Sequence, residues 1–240
     1  PGAFPPPGPV VATPGQLLSA QREGDALHCV FSHASLTVRA VAPDLLQVSW
    51  RRGTGTPTAQ APEPSGEGAE LSTDRLLCRI STDGRIRFLT PAGEVIAEET
   101  GPVSWTADGR IILRWRIPPD AHFYGLGERA APLDLRGGVY TNWNTDPQTY
   151  HPGDDPLYLC VPFLITLHSG GKQACGLLLE NSTRSRFDLG KTDPEAMIVE
   201  VEDEAAGYFF FSAPTVAELL ERVARRVESA AMAVAALPSR

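Results

Sequence analysis

The residues whose types and spacing could support chemistry are concentrated in one aromatic and polar segment, residues 140–158. A sugar ring presents hydroxyl groups that need charge-assisted partners, and one carboxylate can accept hydrogen bonds from two adjacent hydroxyls. The ring also presents an apolar C–H face that an indole can cover. Asp146 and Trp143 could fill those two roles, with Asn144 and Tyr150 beside them. The spacing is equally typical of an Asx-turn at Asn144 and Asp146 with Trp143 in the core, so the residues alone leave both interpretations open.

Catalysis within this chain is not predicted. Retaining glycoside hydrolysis needs two carboxyl groups about 5–5.5 Å apart, one of them protonated at the working pH. Five carboxylates are available, but such loop residues are usually turn formers and solvated charges: Glu128, Asp134, Asp146, Asp154 and Asp155. A mutarotase would need a general acid and a general base beside the sugar ring, and His151 with Glu128 stays open as that alternative. We assign no catalytic residue.

Composition argues against several other classes of function. The 240 residues include 21 Lys and Arg and 29 Asp and Glu, a net charge of −8, whereas nucleic-acid binders need a basic surface. The chain has no run of about 18 apolar residues, so no membrane span is expected, and the cytoplasm is the default location. The four cysteines lack metal-ligand spacing. Gly125 and Gly127 lack the third glycine of a nucleotide-binding loop. No metal or cofactor is predicted.

The elements that must position these residues are predicted to be short antiparallel strands. Gly and Pro together occupy 44 of 240 positions, which favours many turns. Period-two alternation at residues 36–40 and 46–50 is typical of half-buried strands, and Asp83-Gly84 is a hairpin turn signal. The acidic run at 193–204 is predicted to be a solvated hairpin edge. The predicted core contains Trp50, Phe88, Trp105, Trp115, Phe163 and Leu178.

The predicted fold is all-β, a two-sheet antiparallel supersandwich with one C-terminal helix. Residues 1–15 form an extended Pro-rich arm, residues 16–213 the sandwich, and residues 214–240 the helix and a tail. Within the sandwich, residues 53–70 are predicted to be a flexible surface loop. Thr215 and Glu218 have the spacing of a capping box at the start of the helix.

Six motifs in one order then identify a family resemblance, although each motif is weak alone. The chain resembles glycoside hydrolase family 31, the α-glucosidase family, over roughly residues 30–224. The motifs are Phe123-Tyr-Gly-Leu-Gly-Glu128, Tyr140-Thr-Asn-Trp-Asn-Thr-Asp146, Asp155-Pro-Leu-Tyr158, Val161-Pro-Phe163, Gly176-Leu-Leu-Leu-Glu-Asn-Ser182 and Phe187-Asp-Leu-Gly190.

The resemblance implies a galactose mutarotase-like β-sandwich that precedes a catalytic (β/α)₈ barrel. It implies that the loop with Asp146 reaches over the barrel mouth and that Asp146 contacts the substrate, an α-glucoside, near the leaving-group sugar. Trp143, Asn144 and Tyr150 would shape this loop and complete the substrate-binding set. The barrel would follow the C-terminal helix, but residues 228–240 are an Ala-rich tail that matches nothing in the family. Truncation, a frameshift and a barrel on another polypeptide remain open explanations.

The alternative from another class is a stand-alone carbohydrate-binding or interaction module without an enzymatic partner. A truncated product with no function is a third interpretation. If the barrel is missing, the surface that would face it leaves apolar residues exposed, which favours a homo-oligomer. The apolar helix face at Leu219, Leu220 and Val223 is the predicted element of self-association.

Overall fold

Antiparallel strands dominate the computed structural model, which describes residues 4–53 and 68–235, with side chains up to residue 226. The described residues form eighteen strands and one helix. Their bounds are β1 (Val10–Ala12), β2 (Leu17–Glu23), β3 (Ala26–Phe31), β4 (Ala34–Ala42), β5 (Leu45–Arg52), β6 (Ala69–Ser72), β7 (Leu77–Ile80), β8 (Ile86–Leu89), β9 (Val95–Glu98), β10 (Ser104–Thr106), β11 (Ile111–Arg116), β12 (His122–Gly127), β13 (Val139–Asn142), β14 (Cys160–His168), β15 (Gln173–Leu179), β16 (Ser185–Leu189), β17 (Ala196–Val201), β18 (Ala205–Ala213) and α1 (Val216–Ala235).

The described strands are divided among three antiparallel sheets. The largest has eight strands in the order β12-β14-β15-β18-β5-β4-β3-β2. The second has six, β1-β10-β11-β17-β16-β13, and a small third sheet contains β6-β7-β8-β9. The all-β sandwich with a single C-terminal helix is therefore confirmed, and the four-stranded sheet is an addition to the two that the sequence predicted.

Aromatic side chains from all three sheets meet in the main core. The rings of Phe88 and Phe210 stack with centroids 3.8 Å apart, and Phe88 also stacks on Trp115 at 5.9 Å. Trp50 meets Trp105 edge to face at 6.5 Å. Because these residues come from different sheets, their burial joins the sheets into one apolar core. Burial of the four predicted residues Trp50, Phe88, Trp105 and Trp115 is confirmed.

Phe163 and Leu178, which were also predicted to contribute to the core, are only partly buried. They pack against a second, smaller apolar cluster on the opposite face of the eight-stranded sheet. That face is covered by α1, whose Leu219 is fully buried there. Alternation along a strand predicts two faces but not which face meets which layer.

The helix begins as predicted. The Thr215 hydroxyl accepts a hydrogen bond from the Glu218 amide at 3.2 Å, which is the N-cap contact of a capping box. The apolar face of α1 is largely used against the sheet, because Leu219 is buried and Val223 packs on the same cluster. Of the three residues predicted to drive self-association, only Leu220 is about half exposed.

Two segments differ from the sequence predictions. The acidic run is not a solvated edge, because it contains β17, where Glu200 is 2% exposed. Arg110 at 3.4 Å and Arg186 supply the positive charges that a buried carboxylate needs. Strand β16 was not predicted at all.

The N-terminal arm contributes to the sandwich, since β1 pairs with β10 at the edge of the six-stranded sheet. Most of the predicted loop at 53–70 and the end of the tail, residues 236–240, lie outside the described residues. None of the described helices is long and apolar enough to cross a membrane.

Candidate functional site

The four predicted substrate-binding residues are all exposed on the connection between β13 and β14. We call residues 143–159 the Asp146 loop. Asp146 and Asn144 are exposed, and Trp143 and Tyr150 are 50% and 48% exposed. The other three tryptophans are 2% exposed or less. The interpretation that placed Trp143 in the core is therefore wrong.

Hydrogen bonds across the Asp146 loop hold its two arms together. The Thr145 amide donates to the Leu157 carbonyl at 2.9 Å, and the Thr145 hydroxyl donates to the Pro156 carbonyl at 2.8 Å. Asn144 Oδ1 accepts from the Cys160 amide at 2.8 Å, so this side chain links the start of the loop to the start of β14. The Tyr158 hydroxyl donates to the Pro147 carbonyl at 2.5 Å. The segment that presents Asp146 is thus fixed on both sides.

A buried ion pair fastens the base of the loop. The side chains of Arg129 and Asp155 are 5% and 17% exposed, and they are in direct contact. Arg129 also donates to the Thr141 carbonyl at 2.7 Å and to Asn142 Oδ1. The second carboxylate oxygen of Asp155 accepts from the Thr141 amide at 2.6 Å. Four residues from three segments therefore form one network, which we call the loop clamp.

The Gly-Leu-Gly motif, which ends two residues before Arg129, forms a strand irregularity. Gly125 and Gly127 have φ angles of +107° and +83°, which side chains disfavour. A Cβ atom at Gly125 would collide with the Phe163 carbonyl oxygen, and one at Gly127 would collide with that of Leu159. The register between β12 and β14 shifts at this point, as in a β-bulge. The motif therefore builds a strand irregularity and not a phosphate site.

Two clefts flank the Asp146 loop. The first, of about 670 Å³, is largely apolar and includes Tyr140 and Tyr150 among its lining residues. Burial raises the pKa of the Tyr140 hydroxyl, and the Asp155 carboxylate raises it further, so this phenol is neutral. The second cleft, of about 280 Å³, lies between Trp143 and residues 181–185. We call it the Trp143 cleft.

Three of the five carboxylates that could have been catalytic have other partners. Asp134 bonds His122 at 2.7 Å, Asp154 accepts from the His151 amide at 2.7 Å, and Asp155 belongs to the loop clamp. The His151 side chain is 82% exposed, and Glu128 is exposed as well, so the structure does not enclose them as an acid–base pair. Among the described residues no three His, Cys, Asp or Glu side chains are grouped as metal ligands.

Sequence reasoning missed the loop clamp. Asp155 was considered as one of several loop carboxylates and as part of a family motif, no role was predicted for Arg129, and the two residues are 26 positions apart. The available signal was the combination of an arginine beside a glycine-rich strand end and an acidic residue beside a proline. That signal does not identify the partner.

Comparison with known proteins gives the class to which this fold and loop belong. The family model described as the glycosyl hydrolase 31 N-terminal galactose mutarotase-like domain matches residues 22–188. The chain therefore belongs to this family, as its motifs predicted. It is an N-terminal domain of the α-glucosidase-like glycosidases.

Curated relatives match this chain over only a small part of their own length. Alpha-glucosidase 2 of Bacillus thermoamyloliquefaciens is 32% identical over 140 residues, which are 58% of this chain and 17% of that protein. An alpha-glucosidase of Saccharolobus solfataricus is 26% identical over 113 residues, 47% of this chain and 16% of that protein. The chain thus spans about a sixth of the length of these relatives.

Solved structures share the fold. A Flavobacterium johnsoniae GH31 dextranase mutant complexed with isomaltotriose matches with a TM-score of 0.73 and 16% identity, covering 85% of this chain and 27% of that one. The cycloalternan-forming enzyme from Listeria monocytogenes, in complex with a pentasaccharide substrate, matches with a TM-score of 0.69 and 18% identity, covering 82% and 21%.

Proposed function

We propose that this domain completes the substrate pocket of an α-glucosidase-type hydrolase whose catalytic carboxylates lie on a (β/α)₈ barrel. The Asp146 loop would bind the leaving-group sugar of an α-glucoside. The observation that carries this proposal is the exposed Asp146 carboxylate on a loop that a buried ion pair fastens at its base. A fixed loop loses little conformational entropy when it binds a ligand.

The chemistry of the loop is that of binding and not of bond cleavage. An ionised carboxylate accepts strong hydrogen bonds from hydroxyl groups. Most other candidate carboxylates of this region hold loops together, as described above. Asp146 would therefore contribute binding energy to the sugar that leaves, whereas the nucleophile and the acid come from the barrel.

The barrel is the partner that the relatives support. They are α-glucosidases of which this chain spans about a sixth, so most of their length is other sequence. The surface around the loop contains apolar side chains suited to a protein contact: Tyr158 is 39%, Leu159 55% and Val161 40% exposed.

The test compares two substrates of an enzyme assembled from this chain and a family 31 barrel. Maltose has a sugar leaving group, whereas 4-nitrophenyl α-glucoside has an aromatic one. We expect Asp146→Ala to lower kcat/KM for maltose about tenfold or more, since a charge-assisted hydrogen bond is lost. The aryl glucoside should be affected much less.

Asp146→Asn is the matched control, because it keeps the size and removes the charge. It should retain part of the maltose activity. Equal losses for both substrates would contradict the leaving-group role. Weak sugar binding by this chain with no gain on adding a barrel would instead favour the stand-alone carbohydrate-binding module.

A further inference from the structure

The main chain on both sides of Asp146 is held, although its side chain is not. Asp146 is exposed, and among the described residues no group donates a hydrogen bond to its carboxylate. Thr145, the residue before it, bonds the Leu157 carbonyl through its amide and the Pro156 carbonyl through its hydroxyl. The position from which the carboxylate can act is therefore set through the main chain.

Pro147 limits the conformation of the residue before it. A proline ring fixes its own φ at about −65°, and it disfavours the helical region for the preceding residue, here Asp146. Proline has no amide hydrogen, so its carbonyl is the polar main-chain group by which the protein can hold it. That carbonyl accepts a hydrogen bond from the Tyr158 hydroxyl at 2.5 Å. On its C-terminal side, Asp146 is thus held by way of Pro147 and Tyr158.

The Tyr158 ring is held independently of its hydroxyl. It meets the Tyr150 ring edge to face, with the centroids 6.1 Å apart. The Leu157 carbonyl beside it accepts the Thr145 amide at 2.9 Å, so the main chain at this point is bonded as well. A phenylalanine at position 158 would keep the ring and any apolar contact that the ring makes, and it would lose only the hydrogen bond to Pro147.

We propose that the Tyr158 hydroxyl is a positioning group that sets the preference of the site for sugar leaving groups by holding Asp146 through Pro147. The inference rests on the proposed function, in which Asp146 binds the leaving-group sugar, and it assigns no sugar contact to Tyr158. Binding groups must be held within about 0.5 Å of the productive geometry. A freed Pro147 carbonyl would therefore weaken the hydrogen bonds of Asp146 without changing their partners.

Tyr158→Phe in the enzyme assembled with a family 31 barrel tests this preference. We expect kcat/KM for maltose to fall about threefold to fivefold, because one neutral hydrogen bond is lost. The value for 4-nitrophenyl α-glucoside should change less than about twofold, since its aromatic leaving group does not use Asp146. Tyr124→Phe, on β12 and outside the Asp146 loop, is the matched control and should leave both values unchanged.

The double variant Asp146→Ala/Tyr158→Phe separates positioning from a general effect on the fold. A hydroxyl that acts only through Asp146 has nothing left to position once the carboxylate is gone. The maltose kcat/KM of the double variant should therefore equal that of Asp146→Ala alone. A general loosening of the loop would lower it about threefold to fivefold further and would lower the aryl glucoside value as well.

The motion of the loop in the chain alone gives a second readout that needs no barrel. The ¹⁵N order parameter of the Asp146 amide should fall by about 0.1 or more in Tyr158→Phe, because the main chain after it is released. It should be the same in Tyr124→Phe as in the parent.

The outcomes separate this inference from the proposed function. A selective maltose loss in Tyr158→Phe that disappears in the Asp146→Ala background, together with a lower order parameter at Asp146, supports the positioning role. An Asp146→Ala variant without a selective effect on maltose overturns the proposed function and this role with it. A selective effect of Asp146→Ala overturns the positioning role alone if Tyr158→Phe is inert, if the two losses add, or if the order parameter is unchanged.

Discussion

Asp155→Asn is the substitution that tests the loop clamp most sharply. It preserves the size of the side chain and removes its charge. The guanidinium of Arg129, whose side chain is 5% exposed, then lies in the protein interior without a counter-charge. The substituted amide side chain has one oxygen that can still accept a hydrogen bond, but it cannot serve both Arg129 and the Thr141 amide as the two carboxylate oxygens do.

The magnitude follows from the burial of the pair. Removal of one partner of a fully buried ion pair costs about 3–5 kcal/mol. Asp155 is 17% exposed, and the amide retains one acceptor. We therefore expect Asp155→Asn to lower the free energy of unfolding by about 2–3 kcal/mol.

The loss in the free energy of unfolding is measured by urea unfolding of four proteins: the parent, Asp155→Asn, Arg129→Met and the double variant. Once both charges are gone, no unpaired ion stays buried, so the double variant should be more stable than the sum of the single losses predicts, by about 1–2 kcal/mol. Hydrogen exchange in the single variants should quicken first at the amides of Thr145 and Gly153, which lie within the loop.

The reasoning about the clamp would be refuted by a loss below about 0.5 kcal/mol in either single variant, which is the range of ordinary surface changes. Strict additivity of the two losses would refute it as well, because it would mean that the residues do not interact.

Two further predictions concern the frame that carries the loop. Burial lowers the pKa of His168, whose Nε2 contacts the Ile96 carbonyl at 3.0 Å. The unfolded chain therefore binds the proton more readily than the folded protein does. The contribution of His168 to stability is present above its unfolded pKa of about 6.5 and is lost as the pH falls below that value. The urea midpoint should drop between about pH 7.5 and pH 5.5, and His168→Gln should reduce this drop, whereas an unchanged drop would contradict the assignment. At Gly127 an alanine would have to adopt a positive φ, and its Cβ would collide with the Leu159 carbonyl oxygen. We expect Gly127→Ala to lower the free energy of unfolding, measured with urea, by about 2–4 kcal/mol. Gly137 has a φ of +76°, but no atom lies within 4 Å of an added Cβ. Gly137→Ala should therefore lower the free energy of unfolding by only about 1 kcal/mol. Equal losses for the two variants would refute the bulge argument.

Local sequence signals predicted much of the fold because each depends on residues close in the chain. The Asp-Gly turn before β8 and the capping box of α1 are examples. Strand β16 was missed because it lacks alternation: Phe187, Asp188 and Leu189 are all buried. Asp188 is satisfied by the amide of Lys191 at 2.8 Å, a contact that a polar residue between two apolar ones does not reveal.

The sequence predicted the exposed residues of the candidate site, but it did not predict the buried residues that hold the loop in place. The density of aromatic and polar residues indicated the Asp146 loop, and its four predicted residues are all exposed on it. The partners of Arg129 and Glu200 depend on which strands lie side by side, and a single sequence does not contain that information. The role of Asp146 itself remains the prediction to be tested.

Maltose hydrolysis by the purified chain, alone and mixed with a family 31 barrel polypeptide, is the measurement that tests the central proposal most directly. The proposal predicts no turnover by the chain alone and a gain in maltase activity when the barrel is added, because this domain supplies binding and the barrel supplies the paired acids. Turnover by the chain without any other polypeptide would contradict it, and so would a barrel whose activity the chain leaves unchanged.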